Sequence, residues 1–261
     1  MKSKRRPLHW RSGVLRFAGN LVKGLSYPFH ALFPKTRFEI PAVSPAKKGR
    51  EASVDSPIPR IVWQTNFSAL CTWPMFVNYL HNRRLSRAFE HRYVSTEARD
   101  EYVKGHASPR VYEAYRKLTD GAAQADLWRV VVLYNEGGIY MDIDAALVRP
   151  LERLLEGRSQ MFVWDARHFS NFFLATVPRN PLYEKMLETI VHNIENYPKE
   201  GGPSVFYTTG PGAIQSLLVD AGVTFVPRQM ACIQGVFTNE RFQYMDRPRT
   251  KWKYKKTFIQ E

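Results

Sequence analysis

The stretch that decides the fold runs from Gln124 to Pro150, QADLWRVVVLYNEGGIYMDIDAALVRP. Gly121–Asn135 reads as a helix that stops at Gly137–Gly138, a glycine pair suited to a left-handed helix end. Ile139–Val148 follows as a strand, with Ile139, Met141 and Ile143 alternating with polar positions. Asp142 and Asp144 stand two residues apart, so on a regular strand both carboxylates point to one face. A buried strand that carries carboxylates to one side calls for a metal or a cationic side chain as partner. Two hard oxygen ligands side by side suit Mg2+ or Mn2+, which complete their shells with water and phosphate oxygens. A cation held there would bridge the diphosphate of a nucleotide-sugar and neutralise the charge that develops as it leaves. Asp126 and Arg129, one turn apart, share a face of the preceding helix. They are either a surface ion pair or the contacts to the sugar hydroxyls and phosphates of such a donor.

Working outward, strands and helices alternate. Ile58–Gln64 is predicted as a first strand and 74–88 as a helix, followed by a short strand near 90–95. Glu97–Lys104 and Pro109–Leu118 read as helices, Pro150–Glu156 as a short one, Gln160–Trp164 and Phe172–Ala175 as strands, and Pro181–Glu195 as a helix opened by proline. This alternation implies an α/β fold with a mostly parallel, doubly wound sheet flanked by helices. At 261 residues the chain has room for one such domain with tails.

The net charge of +14 is distributed unevenly. Residues 1–50 hold 12 Lys/Arg against the single acid Glu39, and 247–261 hold six against Glu261. The body, 51–246, holds 20 basic and 22 acidic residues. A nearly neutral body argues against a dedicated nucleic-acid enzyme, whose groove should itself be positive. The chain therefore divides into a basic amphipathic arm and Pro-rich linker (1–57), a catalytic domain (58–246) and a basic aromatic tail with Trp252 and Tyr254 (247–261).

After the basic arm MKSKRRPLHWR, the residues Val14, Leu15, Phe17, Ala18, Leu21, Val22 and Leu25 recur at helical spacing, with Ser12 as N-cap and Pro28 ending the pattern. Such a helix suits the surface of an anionic membrane, or it packs on the protein's own body. No run approaches the length of a membrane span, and no secretory signal is read; the expected location is cytoplasmic, peripherally attached to the inner face of the membrane. Cys71 and Cys232 are expected as reduced core thiols, with a single disulfide as the alternative.

The pattern A-x-x-A-D-x-x-R-x-x-x-L-Y-x-x-G-G-I-Y-x-D-x-D, at Ala122–Asp144, resembles the signature of the family-32 glycosyltransferases. These are DXD sugar transferases related to yeast Golgi mannosyltransferases, to bacterial capsule and lipopolysaccharide transferases and, more distantly, to glucosylating clostridial toxins. The segment Ile58–Thr65 is similar to the family's I-P-K-I-I-H-Q-T strand, with Trp63 where His is usual, and Asn171–Pro181 and Thr209–Pro211 sit in family order. The resemblance implies a GT-A fold, a divalent metal (Mn2+ or Mg2+), a UDP- or GDP-sugar donor and retention of configuration. It implies Asp144 as direct metal ligand, and Asp142 as contact through water or to ribose and sugar. Asp126 and Arg129 would hold the donor sugar, Arg129 also near the diphosphate. Trp63 would stack on the base or sit in the core; Gln64, Thr65, Gly138 and Tyr140 complete the donor set, and Asn171 faces donor or acceptor. Thr209–Pro211 is read as a helix start before Ala213. No counterpart of the family's C-terminal His and Ser-Trp follows Val226, so Asn239, Glu240 and Asp246 are the substitutes considered.

The function this implies is transfer of a sugar to a glycan or glycolipid in bacterial capsule, lipopolysaccharide or related polysaccharide synthesis, with no specific nucleic-acid partner. A nucleic-acid-binding protein using the basic ends leaves Asp126–Asp144 unexplained. A metal-dependent nuclease or phosphatase would call for a further His or Asp cluster that the sequence does not show.

Overall fold

In the computed structural model, residues 10–47, 55–199, 202, 204–248 and 257–260 are described. The chain begins with α1 (Trp10–Leu32) and the short strands β1 (Phe38–Glu39) and β2 (Val43–Ser44). β3 (Ile61–Thr65), β4 (Leu70–Cys71), α2 (Trp73–Leu85) and β5 (Glu90–Val94) follow. α3 (Thr96–His106) and α4 (Pro109–Lys117) lead to α5 (Gly121–Glu136), then β6 (Gly138–Met141), β7 (Ala145–Leu147) and α6 (Leu151–Leu155). β8 (Gln160–Asp165), β9 (His168–Thr176), α7 (Pro181–Glu195), α8 (Val205–Thr208), α9 (Pro211–Asp220), β10 (Phe225–Pro227), β11 (Cys232–Gln234) and α10 (Glu240–Gln243) complete it.

The central sheet has the order β10-β8-β9-β6-β3-β5-β2. β3 pairs in parallel with β5 and β6, and β10 with β8. β9 is antiparallel to β6 and β8, and β2 to β5, so five of the seven strands point one way. β9 runs backwards because only Ala166 and Arg167 separate it from β8, which leaves room for a hairpin but not a crossover. The sheet's two faces bury separate cores. Trp63, Tyr140 and Leu174 pack with Trp128, Leu127 and Tyr183 of the helices on one side. Val62, Ile139 and Met141 pack with Leu151 and Leu155 of α6 on the other. The expected α/β sheet flanked by helices is present.

Several boundaries differ from the sequence reading. Ile139–Val148 is not one strand: β6 ends at Met141 and Asp142–Asp144 forms a turn. The Asp142 N–H donates to the Phe172 carbonyl at 2.8 Å, and the Ala145 N–H donates back to the Asp142 carbonyl at 3.0 Å. The carboxylates thus leave the sheet at its end instead of lining one face of it, which lets them reach an open cavity without burial in the ladder. Segment 34–57 is more than linker, since β1 pairs with β4 and β2 extends the main sheet beyond β5. α1 continues through Pro28 to Leu32; proline removes one helical N–H, yet the Phe33 N–H still reaches the Phe29 carbonyl at 2.8 Å. In the tail, Ile259 bridges Leu118 and Phe258 is buried against Tyr197. The arm before Trp10, the Lys48–Arg50 cluster, Trp252 and Tyr254 lie outside the described residues. Cys71 and Cys232 are buried free thiols.

The glycine pair has a structural role. Gly137 (φ +65°) caps α5, and Gly138 (φ +95°) brings β6 against β3 so closely that an added Cβ would meet the Ile61 carbonyl oxygen at 2.7 Å. Gly138→Ala is therefore expected to lower stability by about 1–3 kcal/mol through backbone strain alone. A urea midpoint equal to wild type would show that the approach is not tight.

Candidate active site

α5 positions the first site residues. The Asp120 carboxylate accepts from the Ala122 and Ala123 N–H groups at 2.8 and 3.2 Å, fixing the start of the helix, and the Gly137 N–H closes its end on Leu133. The helix is buried almost continuously from Ala123 to Leu133, and Asp126 and Arg129 are buried with it, at 6% and 5% exposure. The pair is not a surface ion pair. Arg129 donates from Nη2 to Asp126 Oδ1 at 2.9 Å and from Nη1 to the Asn171 carbonyl at 2.7 Å. Its guanidinium lies over the Tyr140 ring, 4.3 Å from the centroid, and Nη1 is 3.7 Å from Asp142 Oδ1. Asp126 also accepts from Asn171 Nδ2 at 2.9 Å and from the Thr209 hydroxyl at 3.0 Å. Burial raises the Asp126 carboxyl to about 6, against the pull of Arg129 and these hydrogen bonds. The Asp142 carboxyl is likewise raised by burial, with Arg129 and the Tyr140 hydroxyl opposing.

These groups open onto a cavity of about 700 Å³. Thr65, Asp126, Arg129, Tyr140, Asp142, Asp144 and Asn171 all line it. Tyr140 donates its hydroxyl to Asp142 Oδ1 at 2.6 Å. Gln234, on β11, donates from Nε2 to Asp142 Oδ2 at 2.8 Å and to Asp144 Oδ1 at 3.3 Å. One amide nitrogen thus bridges both carboxylates, so their oxygens converge on a single point. Two hard oxygen donors aimed at one point fit Mg2+ or Mn2+, with the remaining ligands left to water and phosphate. Among the described residues no group of three or more His, Cys, Asp or Glu forms a closed metal cage.

Three expected donor contacts lie elsewhere. Trp63 is 4% exposed and does not line the cavity. Its indole N–H donates to the Gly137 carbonyl at 3.0 Å, Trp128 meets it edge-on, and Arg92 covers the ring, so no base can stack there. Gln64 follows Trp63 on the strand, buried at 2%, and Gly138 faces Ile61; neither borders the cavity. The C-terminal substitutes also fall outside it. Asn239 caps α10 by accepting from the Phe242 N–H, Glu240 begins that helix, and Asp246 is held by two nitrogens of Arg37. Gln234 and Tyr244 occupy the wall instead.

Sequence reasoning missed Gln234, Arg99 and the support beneath the carboxylates, and it took Thr209 for part of a helix start. Asn78 and Asn82 of α2, both fully buried, hold the turn: Asn78 Nδ2 donates to the Ile143 and Ala145 carbonyls at 2.7 and 2.9 Å. Asn82 donates to Ala145 at 2.7 Å and accepts from the Leu147 N–H at 2.9 Å. Two asparagines four apart on one helix face were the available signal. Asn82→Ala leaves the buried Leu147 N–H without its partner and the Ala145 carbonyl with Asn78 alone, and is expected to cost about 1–3 kcal/mol in chemical denaturation. An unchanged midpoint would show that water replaces the side chain at no cost.

Residues 62–161 match the family model described as glycosyltransferase sugar-binding region containing DXD motif. Mannosyl phosphorylinositol ceramide synthase CSH1 of Saccharomyces cerevisiae is 28% identical over 101 residues, 39% of this chain and 27% of that protein. The match thus spans about a quarter of the relative's length. Among solved structures, the PaToxG glycosyltransferase superposes with a TM-score of 0.50 at 14% identity, over 81% of this chain and 79% of its own. The chain is thus similar to DXD-containing glycosyltransferases over 62–161, a region that includes Asp142-Ile143-Asp144, and it shares a GT-A-type architecture with a solved glycosyltransferase.

Proposed function

We propose that the chain is a retaining, metal-dependent glycosyltransferase that moves a sugar from a UDP- or GDP-sugar to a glycan or glycolipid acceptor. The observation that carries this reading is the meeting, in one cavity, of a two-carboxylate turn and a buried Asp126–Arg129 pair. Asp144 and Asp142 would hold Mn2+ or Mg2+, which neutralises charge on the departing diphosphate. Arg129, fixed by Asp126, the Asn171 carbonyl and the Tyr140 ring, places a cation beside Asp142 without needing to move. Asp126, locked by Thr209 and Asn171, accepts from the donor's sugar hydroxyls.

Arg99 adds a second cation. It is 3% exposed, lines the cavity, and among the described residues donates to the Gly121 carbonyl at 3.2 Å and the Thr96 hydroxyl at 3.3 Å. Burial lowers its pKa, and the acid that feels its charge, Glu97, is exposed to solvent. A buried guanidinium hydrogen-bonded to neutral acceptors is costly, and a diphosphate would supply charged ones. Asp126, Asp142 and Asp165, the last paired with Arg228, are all tied to other side chains. Those ties favour a same-face displacement assisted by the leaving diphosphate over a covalent adduct on a side chain.

The glycolipid acceptor agrees with the name of the yeast relative, a mannosyl phosphorylinositol ceramide synthase. A role in bacterial capsule, lipopolysaccharide or related polysaccharide synthesis, at the cytoplasmic face of an anionic membrane, is supported by the cation-rich first 50 residues. No described helix is long and apolar enough to cross a bilayer.

The test is hydrolysis of a panel of UDP- and GDP-sugars. EDTA is expected to abolish turnover and Mn2+ to restore it, and Asp144→Ala to lower kcat by about 100-fold or more with an unchanged unfolding midpoint. A misfolded variant, or turnover indifferent to EDTA, would remove the metal role. Arg99→Gln is expected to raise the donor KM about tenfold with little change in kcat, the signature of lost uniform binding. A fall in stability with normal KM would make Arg99 structural.

A further inference from the structure

α1 is a 23-residue helix without a single acid, and it carries apolar groups on two opposite faces. The inner face belongs to the fold. Leu15 and Val22 join Val236, Phe237 and Ile233 in one cluster, and a Cβ on Gly19 would strike the Val236 carbonyl oxygen. The outer face holds Trp10, Val14, Phe17, Leu21, Leu25 and Leu32, which are 50–75% exposed. At about 100° per residue these six fall within about 80° of arc, opposite the buried stripe. Single exposed apolar residues are ordinary, but a continuous stripe along a helix already docked by its other side marks a contact surface.

We propose that this outer stripe seats the protein in the headgroup region of an anionic bilayer, with α1 lying in the membrane plane. Charge decides the occupant. Residues 1–50 hold 12 Lys/Arg against Glu39, and, whereas Lys23 turns inward to the Gly235 carbonyl, Arg11 and Arg16 stand on the flanks between the two faces of α1. There their stems follow the apolar stripe while the cations reach lipid phosphates. A second copy of the chain would instead bring like charges together. The helix is about 35 Å long at 1.5 Å per residue, and no described helix is apolar enough to span a bilayer, so it lies flat.

The seating also orients the cavity. From the end of α1, Pro34 and Lys35 lead into a groove of about 460 Å³ whose walls include Phe67 and Arg247. Phe67 and Arg247 also line the main cavity, so this groove joins the cavity to the end of α1. An acceptor held in the membrane reaches the carboxylates from there; this orientation rests on the transferase reading, whereas the seating does not.

The experiment is co-sedimentation of the full chain with phosphatidylcholine vesicles, with and without about 30 mol% phosphatidylglycerol. Wild type is expected to bind the anionic vesicles, less so in high salt, and the neutral ones weakly. Phe17→Glu/Leu21→Glu should cut the bound fraction about tenfold or more, because it puts two charges in the seat. Its unfolding midpoint and nucleotide-sugar hydrolysis should equal wild type, since both side chains are exposed and outside the cavity. Equal binding by wild type and variant, or no binding by wild type, overturns the proposal. So does a dimer in light scattering that the variant splits, which assigns the face to a second copy. Vesicle binding by a protein that hydrolyses no nucleotide-sugar supports the seating and sinks the transferase reading alone.

Discussion

The Arg129 guanidinium is the interaction on which the site depends. It sits inside α5, 5% exposed, with its nitrogens shared among the Asp126 carboxylate and the Ala125 and Asn171 carbonyls, and its face on Tyr140. Burying a cation this deeply is costly, and hydrogen-bond acceptors with a carboxylate beside it offset that cost. Its partners come from three elements: α5 itself, β6 through Tyr140, and β9 through Asn171. Satisfying one charge therefore joins the helix to both central strands at their cavity end. Thr209, ahead of α9, ties a fourth element to the same point through Asp126. Removing the charge would loosen α5 from β6 and β9, so the groups that would meet a donor are also those that hold the cavity in shape.

The carboxylate turn depends on a different device. A turn that leaves the sheet exposes carbonyls that no neighbouring strand can satisfy. Asn78 and Asn82 reach in from α2 and take up the Ile143, Ala145 and Leu147 backbone groups. Asp142 and Asp144 are thereby presented on a rigid turn whose backbone is held from behind and whose side chains are joined in front by Gln234. Rigid placement of charge is what stabilises a departing diphosphate, because nothing has to reorganise when the charge develops.

α1 shows how one amphipathic pattern can serve two partners. Its inner stripe is thin, relying on Gly19 and on small serines that let the helix approach the body closely. That economy leaves the larger apolar residues on the far side. The same helix then fastens the N-terminal arm to the domain and keeps an apolar strip facing outward.

The sequence by itself determined the fold class and singled out four of the residues that line the cavity, Asp126, Arg129, Asp142 and Asp144. Strand–helix alternation, the glycine pair after α5 and the spacing of Asp126, Arg129, Asp142 and Asp144 are local patterns, and local patterns survive without knowledge of what packs where. It could not locate Trp63, because whether an indole lines a cavity or fills the core depends on Gly137 and Trp128 arriving beside it. It placed both aspartates on one strand, since the break at Asp142 is caused by α2, more than 50 residues earlier, and by the Phe172 carbonyl. It missed Gln234 and Arg99 for the same reason. A glutamine ninety residues after the aspartates, and an arginine 27 residues before Asp126, become site residues only when β11 pairs with β7 and α3 packs on α5. Chemistry set by residue type and short spacing was legible in the chain; chemistry set by long-range pairing was decided by the tertiary structure, because only folding brings those groups within hydrogen-bonding distance.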